Sequence, residues 1–128
     1  MPDGRAARGP SVGYVEGALI PVPAGNKDAY RDSALKRAAA IKEAGATRVV
    51  EAWGDDVPDG KVTDFKGAVK ASGDEKVVYC WIEWPSKDVR EAGWKKAMED
   101  PRMHPTGGAM PFDGKRMIHG GFAPIVQS

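Results

Sequence analysis

The order of strand-like and helix-like segments is the feature that most constrains the fold of this chain. Four segments are rich in β-branched and aromatic side chains, and we predict strands at residues 14–23, 46–54, 76–84 and 115–126. Apolar residues recur at helical spacing in two other segments. One helix is predicted from a cap at Asn26 to a stop at Gly45, and the other from Ser86 to Asp100.

The predicted elements follow the order β, α, β, β, α, β. This is the split βαβ plan of a ferredoxin-like α+β sandwich, with an antiparallel four-stranded sheet. Residues 63–71 are ambiguous between a short helix capped by Asp64 and an extended edge segment. The three aspartates before them, at positions 55, 56 and 59, predict a loop rather than a calcium site, because the spacing of a calcium-binding loop is absent.

Length and charge limit the class of protein. The 128 residues support one domain, which we assign to residues 13–128, and residues 1–12 have the composition of a disordered leader. Nineteen Lys and Arg against eighteen Asp and Glu, without blocks of like charge, argue against nucleic-acid and membrane partners. No apolar run reaches the roughly 18 residues of a membrane span, so a cytoplasmic location is predicted. The single cysteine, Cys80, excludes a disulfide framework and is predicted to be buried.

Side chains alternate across a strand, so each predicted strand divides between two faces of the sheet. The set without titratable groups is predicted to face the helices: Val15, Gly17, Leu19, Val50, Ala52, Val78, Cys80, Ile82, Trp84, Ile118, Gly120, Phe122 and Val126. The other set mixes acids with rings: Tyr14, Glu16, Ala18, Ile20, Val49, Glu51, Trp53, Val77, Tyr79, Trp81, Glu83, Met117, His119 and Ile125. This second face is too apolar to remain in water, so a second copy of the chain is expected to cover it.

Such a homodimer would enclose three glutamates among aromatic rings. Carboxylates close together in a buried pocket have raised pKa values and can perform acid–base chemistry, so Glu16, Glu51 and Glu83 are the candidate catalytic residues. The candidate substrate-binding residues are Tyr14, Trp53, Tyr79, Trp81 and His119. The simpler alternative is that the glutamates form structural ion pairs with Arg48, Lys115 or Arg116. The spacing of Glu and His matches no recognised metal site, and no metal or other cofactor is predicted.

Several long motifs resemble a known family. These are WGDDVPDGKVTDF from residue 53, VVYCWIEWPSK from residue 77, DPRM from residue 100 and MPFDGKRMIHGGF from residue 110. The chain resembles, from residue 13 onward, the YbaA-like bacterial proteins of domain-of-unknown-function family 1428. Its sequence departs from their usual pattern at Tyr79-Cys80 and at His119, which weakens a catalytic role for His119.

The resemblance implies a dimeric α+β barrel but no established activity. Proteins of that wider superfamily include cofactor-free monooxygenases, haem-degrading enzymes, lactone isomerases and stress-response proteins, and fold alone does not select among them. We therefore expect a homodimer with a pocket for a small aromatic or apolar molecule, suited to acid–base or monooxygenase-like chemistry. The alternative is a non-catalytic stress-response or interaction protein in which the same residues only hold the dimer together. A haem enzyme is a third hypothesis.

Overall fold

The structure is a computed structural model that describes residues 12–104 and 110–128. Its elements are β1 (Tyr14–Pro23), α1 (Lys27–Glu43), β2 (Arg48–Trp53), the short helix α2 (Phe65–Ala68), β3 (Glu75–Trp84), α3 (Lys87–Ala97) and β4 (Ile118–Phe122). One-turn 3-10 helices, Ala24–Asn26 and Pro101–Met103, precede α1 and follow α3. Apart from Val12, the predicted leader lies outside the described residues.

The four strands form one antiparallel sheet in the order β2-β3-β1-β4. This is the ferredoxin-like order, with the first and third strands in the centre, so the predicted α+β fold is confirmed. The bounds of β1 agree with the prediction, and β3 begins one residue earlier than predicted. The last strand is shorter than predicted, because Asp113 forms a turn with Lys115 before it and Pro124, which has no backbone N–H, follows it.

Local capping explains where the helices begin and end. The Ser86 hydroxyl accepts a hydrogen bond from the Val89 backbone N–H at 3.1 Å, which starts α3 as predicted. The Asp64 carboxylate accepts one from the Gly67 N–H at 2.6 Å, so the helical alternative for this segment is confirmed. Gly45 has φ of 129°, a conformation that favours glycine, just after α1 ends.

Helices α1 and α3 pack on the same face of the sheet, here called the helix face. The buried core joins Tyr30, Ala34 and Ile41 of α1 to the central strands. Its strand residues include Ile20, Val22, Val78, Cys80, Ile82 and Trp84. On α3, Gly93 lies so close to the sheet that an added Cβ would be 2.6 Å from the Trp84 ring. The sheet therefore has one closely packed side.

The register of the strands contradicts the predicted division into faces. Residues paired across neighbouring antiparallel strands share a face. Glu16 pairs with Ile82 and Glu51 pairs with Cys80, so both glutamates lie on the helix face. Glu83 pairs with Val15 on the opposite side. The prediction that the three glutamates share one face was wrong.

The residues of β3 that were predicted to face the helices, Val78, Cys80, Ile82 and Trp84, do belong to the core on the helix face. β1, β2 and β4 were grouped correctly with one another but were assigned to the wrong side of the sheet relative to β3. β3 is apolar at every position from 77 to 82, so its sequence contains no alternation that fixes which residues face the helices. The prediction also placed acids away from the helices, although α1 and α3 supply the polar partners that make burial of an acid possible.

The opposite side of the sheet, here called the open face, carries mostly apolar residues. The residues of this face include Val15, Gly17, Leu19, Val50, Ala52, Tyr79, Trp81, Ile118, Gly120 and Phe122, together with the charged pair Arg48 and Glu83. At one end, α2 contacts β1 and β3, and Pro21 and Val77 are buried there. The remainder is half-buried or exposed, with Phe122 61% exposed. Within the described residues, no helix has both the length and the apolar composition that a bilayer span requires.

Candidate functional site

A groove between α1 and the edge strand β2 has a volume of about 380 Å³. It lies on the helix face, where α1 does not fully cover the sheet. The lining residues are Lys27, Tyr30, Arg31, Ala34, Leu35, Ala38, Val49, Glu51, Trp53 and Val78. Most of these side chains are apolar and a few are charged, which is the usual composition of a small-molecule site. Two of the predicted site residues, Glu51 and Trp53, therefore lie in one groove.

Glu51 is the carboxylate of the groove. The Tyr30 hydroxyl donates a short hydrogen bond to Glu51 Oε1, and Arg37 Nη2 lies 3.8 Å from Oε2. Burial and the neighbouring Glu51 raise the pKa of the Tyr30 phenol well above its usual range. The phenol is therefore a hydrogen-bond donor at neutral pH, and the carboxylate has both a donor and a cation beside it.

Arg37 was not among the site residues selected from the sequence. Its guanidinium lies 5.4 Å from the centre of the Tyr30 ring and 5.6 Å from that of Phe112. The available signal was spacing, since positions 30, 34, 37 and 41 lie on the same side of a helix. Arg37 is half-buried on the inner side of α1, while Lys36 and Lys42 are exposed.

Trp53 and Lys27 contact each other at the mouth of the groove. The Lys27 ammonium lies 5.5 Å from the centre of the Trp53 ring, within the range of a cation–π contact. Asn26 precedes α1 but its side chain does not cap the helix; its Nδ2 donates to the Pro111 carbonyl at 3.1 Å instead. The loop at Pro111 and Phe112 is thereby held beside the start of α1.

Glu16 is buried elsewhere on the helix face, in a cluster with Trp84, Arg90 and Trp94. Its Oε1 accepts hydrogen bonds from the Trp84 Nε1–H at 2.9 Å and from the Trp94 Nε1–H. Its Oε2 accepts one from Arg90 Nη2 at 3.3 Å. A charge buried in this way is stable only while its partners remain. The sequence signal was the i,i+4 spacing of Arg90 and Trp94 on α3.

The remaining predicted site residues are dispersed. Glu83 accepts a hydrogen bond from the Trp81 Nε1–H at 3.2 Å on the open face, where Trp81 also contacts the Tyr79 ring. Tyr14 belongs to the helix face and lies under the Arg90 guanidinium. His119 is exposed on the edge strand β4. The structure therefore brings together Glu51 and Trp53 but does not join them to Glu16, Glu83 or Tyr79.

A second hollow, of about 260 Å³, lies on the open face. Gly17 pairs with Gly120 at its centre, and the absence of two side chains leaves the space. Around these glycines the hollow is lined by Ala18, Leu19, Phe65, Tyr79, Ile118, His119 and Phe122. It contains no carboxylate, so this hollow can accept an apolar group but has no acid for proton transfer.

Two further observations limit the chemistry of the helix face. Burial raises the pKa of the Cys80 thiol to about 12, so this cysteine is a protonated core residue and not a nucleophile. Among residues 12–104 and 110–128, no group of three or more His, Cys, Asp or Glu side chains is arranged to hold a metal ion. Glu51 is the acid that lies open to the groove.

Fold and groove together define a small α+β protein with a ferredoxin-like sheet, two helices packed on one face of it, and a mostly apolar groove beside the first helix. The model of a family described as "Protein of unknown function (DUF1428)" matches residues 13–114. The chain belongs to this family, as its motifs indicated.

Bacterial relatives agree with the family assignment. The chain is 60% identical over 113 residues to the "Uncharacterized protein YbaA" of Escherichia coli strain K12, covering 88% of this chain and 97% of that protein. The protein of the same name from Shigella flexneri is similar to the same extent. The relatives extend the family assignment but their names assign no activity.

Proposed function

We propose that this protein binds a small aromatic or apolar molecule in the groove between α1 and β2, and that it works as a homodimer. The observation that carries the binding proposal is the groove itself. Its volume of about 380 Å³ is in the range of small-molecule sites, and its walls combine apolar side chains with the Trp53 ring. If a bound molecule undergoes proton transfer, Glu51 is the acid placed to take part.

A filled groove is the direct test. Ala38 lines the groove and is half-buried, whereas its neighbour Ala39 is exposed and outside the lining. Calorimetric titration with the neutral probe 2-naphthylmethanol should show binding to the wild type, at least tenfold weaker binding to Ala38→Phe, and unchanged binding to Ala39→Phe. Thermal melting would confirm that both variants fold. Equal affinity of the two variants would contradict the proposal.

The homodimer proposal rests on the open face. Tyr79, Ile118 and Phe122 are exposed there, and Ile125, just beyond β4, is 96% exposed. A continuous apolar surface of this kind is unfavourable in water and is typical of an interface. A second copy is the occupant that the charges favour, because Arg48 and Glu83 are paired on neighbouring strands and the face therefore carries both signs of charge. A twofold axis can place Arg48 of one copy beside Glu83 of the other, and Glu83 of the first beside Arg48 of the second.

The non-catalytic alternative is favoured for one glutamate in particular. Glu16 already has two indole donors and a guanidinium, so its contacts are those of a structural residue. If that role is correct, Glu16→Gln should leave probe binding in the groove unchanged while lowering thermal stability. A loss of probe affinity without a loss of stability would instead assign Glu16 to the site.

A further inference from the structure

The charges at the mouth of the groove are not balanced. Lys27 and Arg31 both line it and are exposed, and they are separated by four residues on α1. Like charges at this spacing repel each other on a helix surface. Neither side chain forms a hydrogen bond or an ion pair with another residue in the described part of the chain. Lys27 does contact the face of the Trp53 ring.

The carboxylate of the groove does not neutralise these two cations. Glu51 is already hydrogen-bonded by Tyr30 and lies beside Arg37, so its charge is compensated from within α1. Asp28 and Asp32 are on the same helix, but neither lines the groove and both are exposed. The groove mouth therefore retains positive charge above an apolar floor, which includes Ala38 and Val49.

We propose that the ligand of the groove is an organic anion. Its acidic group would lie between Lys27 and Arg31, and its aromatic or apolar body would lie against Trp53 and Val49. This inference rests on the proposed binding function and adds the chemical class of the ligand. The arrangement suits a carboxylate, since guanidinium and ammonium groups both donate to carboxylate oxygens.

Three probes with the same ring system and different charge test the inference. Calorimetric titration of the protein with 2-naphthoate, 2-naphthylmethanol and 2-naphthylmethylamine at pH 7 and low salt should give the highest affinity for the anion and the lowest for the cation. We expect 2-naphthoate to bind about tenfold more tightly than the alcohol, and the difference to shrink as salt is added.

Two matched double variants test whether Lys27 and Arg31 cause the preference for the anion. Lys27→Met with Arg31→Met should abolish the preference for 2-naphthoate over the alcohol. Lys36→Met with Lys42→Met removes the same charge from exposed positions of α1 outside the lining, and should preserve the preference for the anion.

The possible results separate the two proposals. Equal affinity for anion and alcohol, or an anion preference that the Lys27 and Arg31 variant retains, would overturn the assignment of an anionic ligand and leave the binding groove in place. Failure of all three probes to bind would overturn the groove proposal and this inference with it.

Discussion

The two faces of the sheet solve the problem of burial in opposite ways. On the helix face, the acidic residues Glu16 and Glu51 are surrounded by donors from α1, α3 and β3, and the core around them is closely packed. On the open face, most residues are apolar. Helix α2 contacts one end of this face, but no described part of the chain covers the rest. Buried polar residues with their partners therefore mark the side of the sheet that the helices pack against, and exposed apolar residues mark the other side.

The largest effect is expected from Glu16. Replacing Glu16 with Ala leaves Arg90 and two indole N–H groups without their buried acceptor, so the free energy of unfolding should fall by about 3–5 kcal/mol. Glu83→Ala removes a half-buried carboxylate from the open face and should cost less than about 1 kcal/mol. Urea denaturation at one protein concentration measures both. Equal losses would break the contrast between the faces.

Alanine substitutions at two glycines test how closely each face of the sheet is packed. In Gly93→Ala, the new Cβ would lie 2.6 Å from the Trp84 ring, so the unfolding free energy should fall by about 1–3 kcal/mol. In Gly17→Ala, the new Cβ would lie 3.6 Å from the Phe122 ring, an ordinary contact, and subunit stability should change by less than about 0.5 kcal/mol. A larger loss for Gly17→Ala in urea denaturation would show that the hollow is tighter than the structure describes.

Glu75 lies at the covered end of the open face, and replacing it tests how much its charge stabilises the fold there. Two hydrogen bonds from Arg116 and one from the Ser72 backbone lower the pKa of Glu75 from 4.5 to about 2. Its stabilisation is therefore present above pH 4.5 and is lost as the pH falls towards 2. Glu75→Gln should lower the unfolding free energy by about 1–2 kcal/mol at pH 7, and this difference should disappear by about pH 2.

The exposed Asp74 supplies the control for that pH series. Asp74 forms no ion pair with a described residue, although its carboxylate accepts a hydrogen bond from the Ser72 hydroxyl at 3.2 Å, so Asp74→Asn should change the unfolding free energy at pH 7 by less than about 0.5 kcal/mol. A Glu75→Gln difference that is constant from pH 7 to pH 2 would assign the effect to packing and not to charge.

Cys80 should give the smallest effect. Burial raises its thiol pKa to about 12, so at pH 8 the folded protein should react with a thiol reagent much more slowly than the urea-unfolded chain. The absorbance of the thiolate that the reagent releases measures the reaction rate in the folded and in the unfolded state. Rapid labelling of the folded protein would show that the helix face opens easily.

The sequence was sufficient for the order of elements and for the central strands. The bounds of β1 could be predicted because proline and glycine follow a run of strand-forming residues, and β3 because Pro85 ends one. The face of each strand could not be predicted with the same success, because a one-residue change of phase reverses every side chain and the uniformly apolar β3 gives no phase.

The candidate site was predicted only in part. Glu51 and Trp53 could be selected as an acid and a ring on one strand, two positions apart. Their partners Tyr30 and Arg37 are on α1, and only tertiary packing shows that this helix crosses β2. Glu16 was assigned to the wrong face for the same reason, since its donors Arg90 and Trp94 come from α3.

Sedimentation equilibrium asks directly whether a second copy covers the open face. At micromolar concentration the wild type should have twice the chain mass of 13.7 kDa, and so should Met98→Lys, which changes an exposed apolar residue outside that face. Tyr79→Lys introduces a charge into the face and should weaken the dimer about a hundredfold or more. A wild-type protein that sediments at 13.7 kDa would show that no second copy covers the open face.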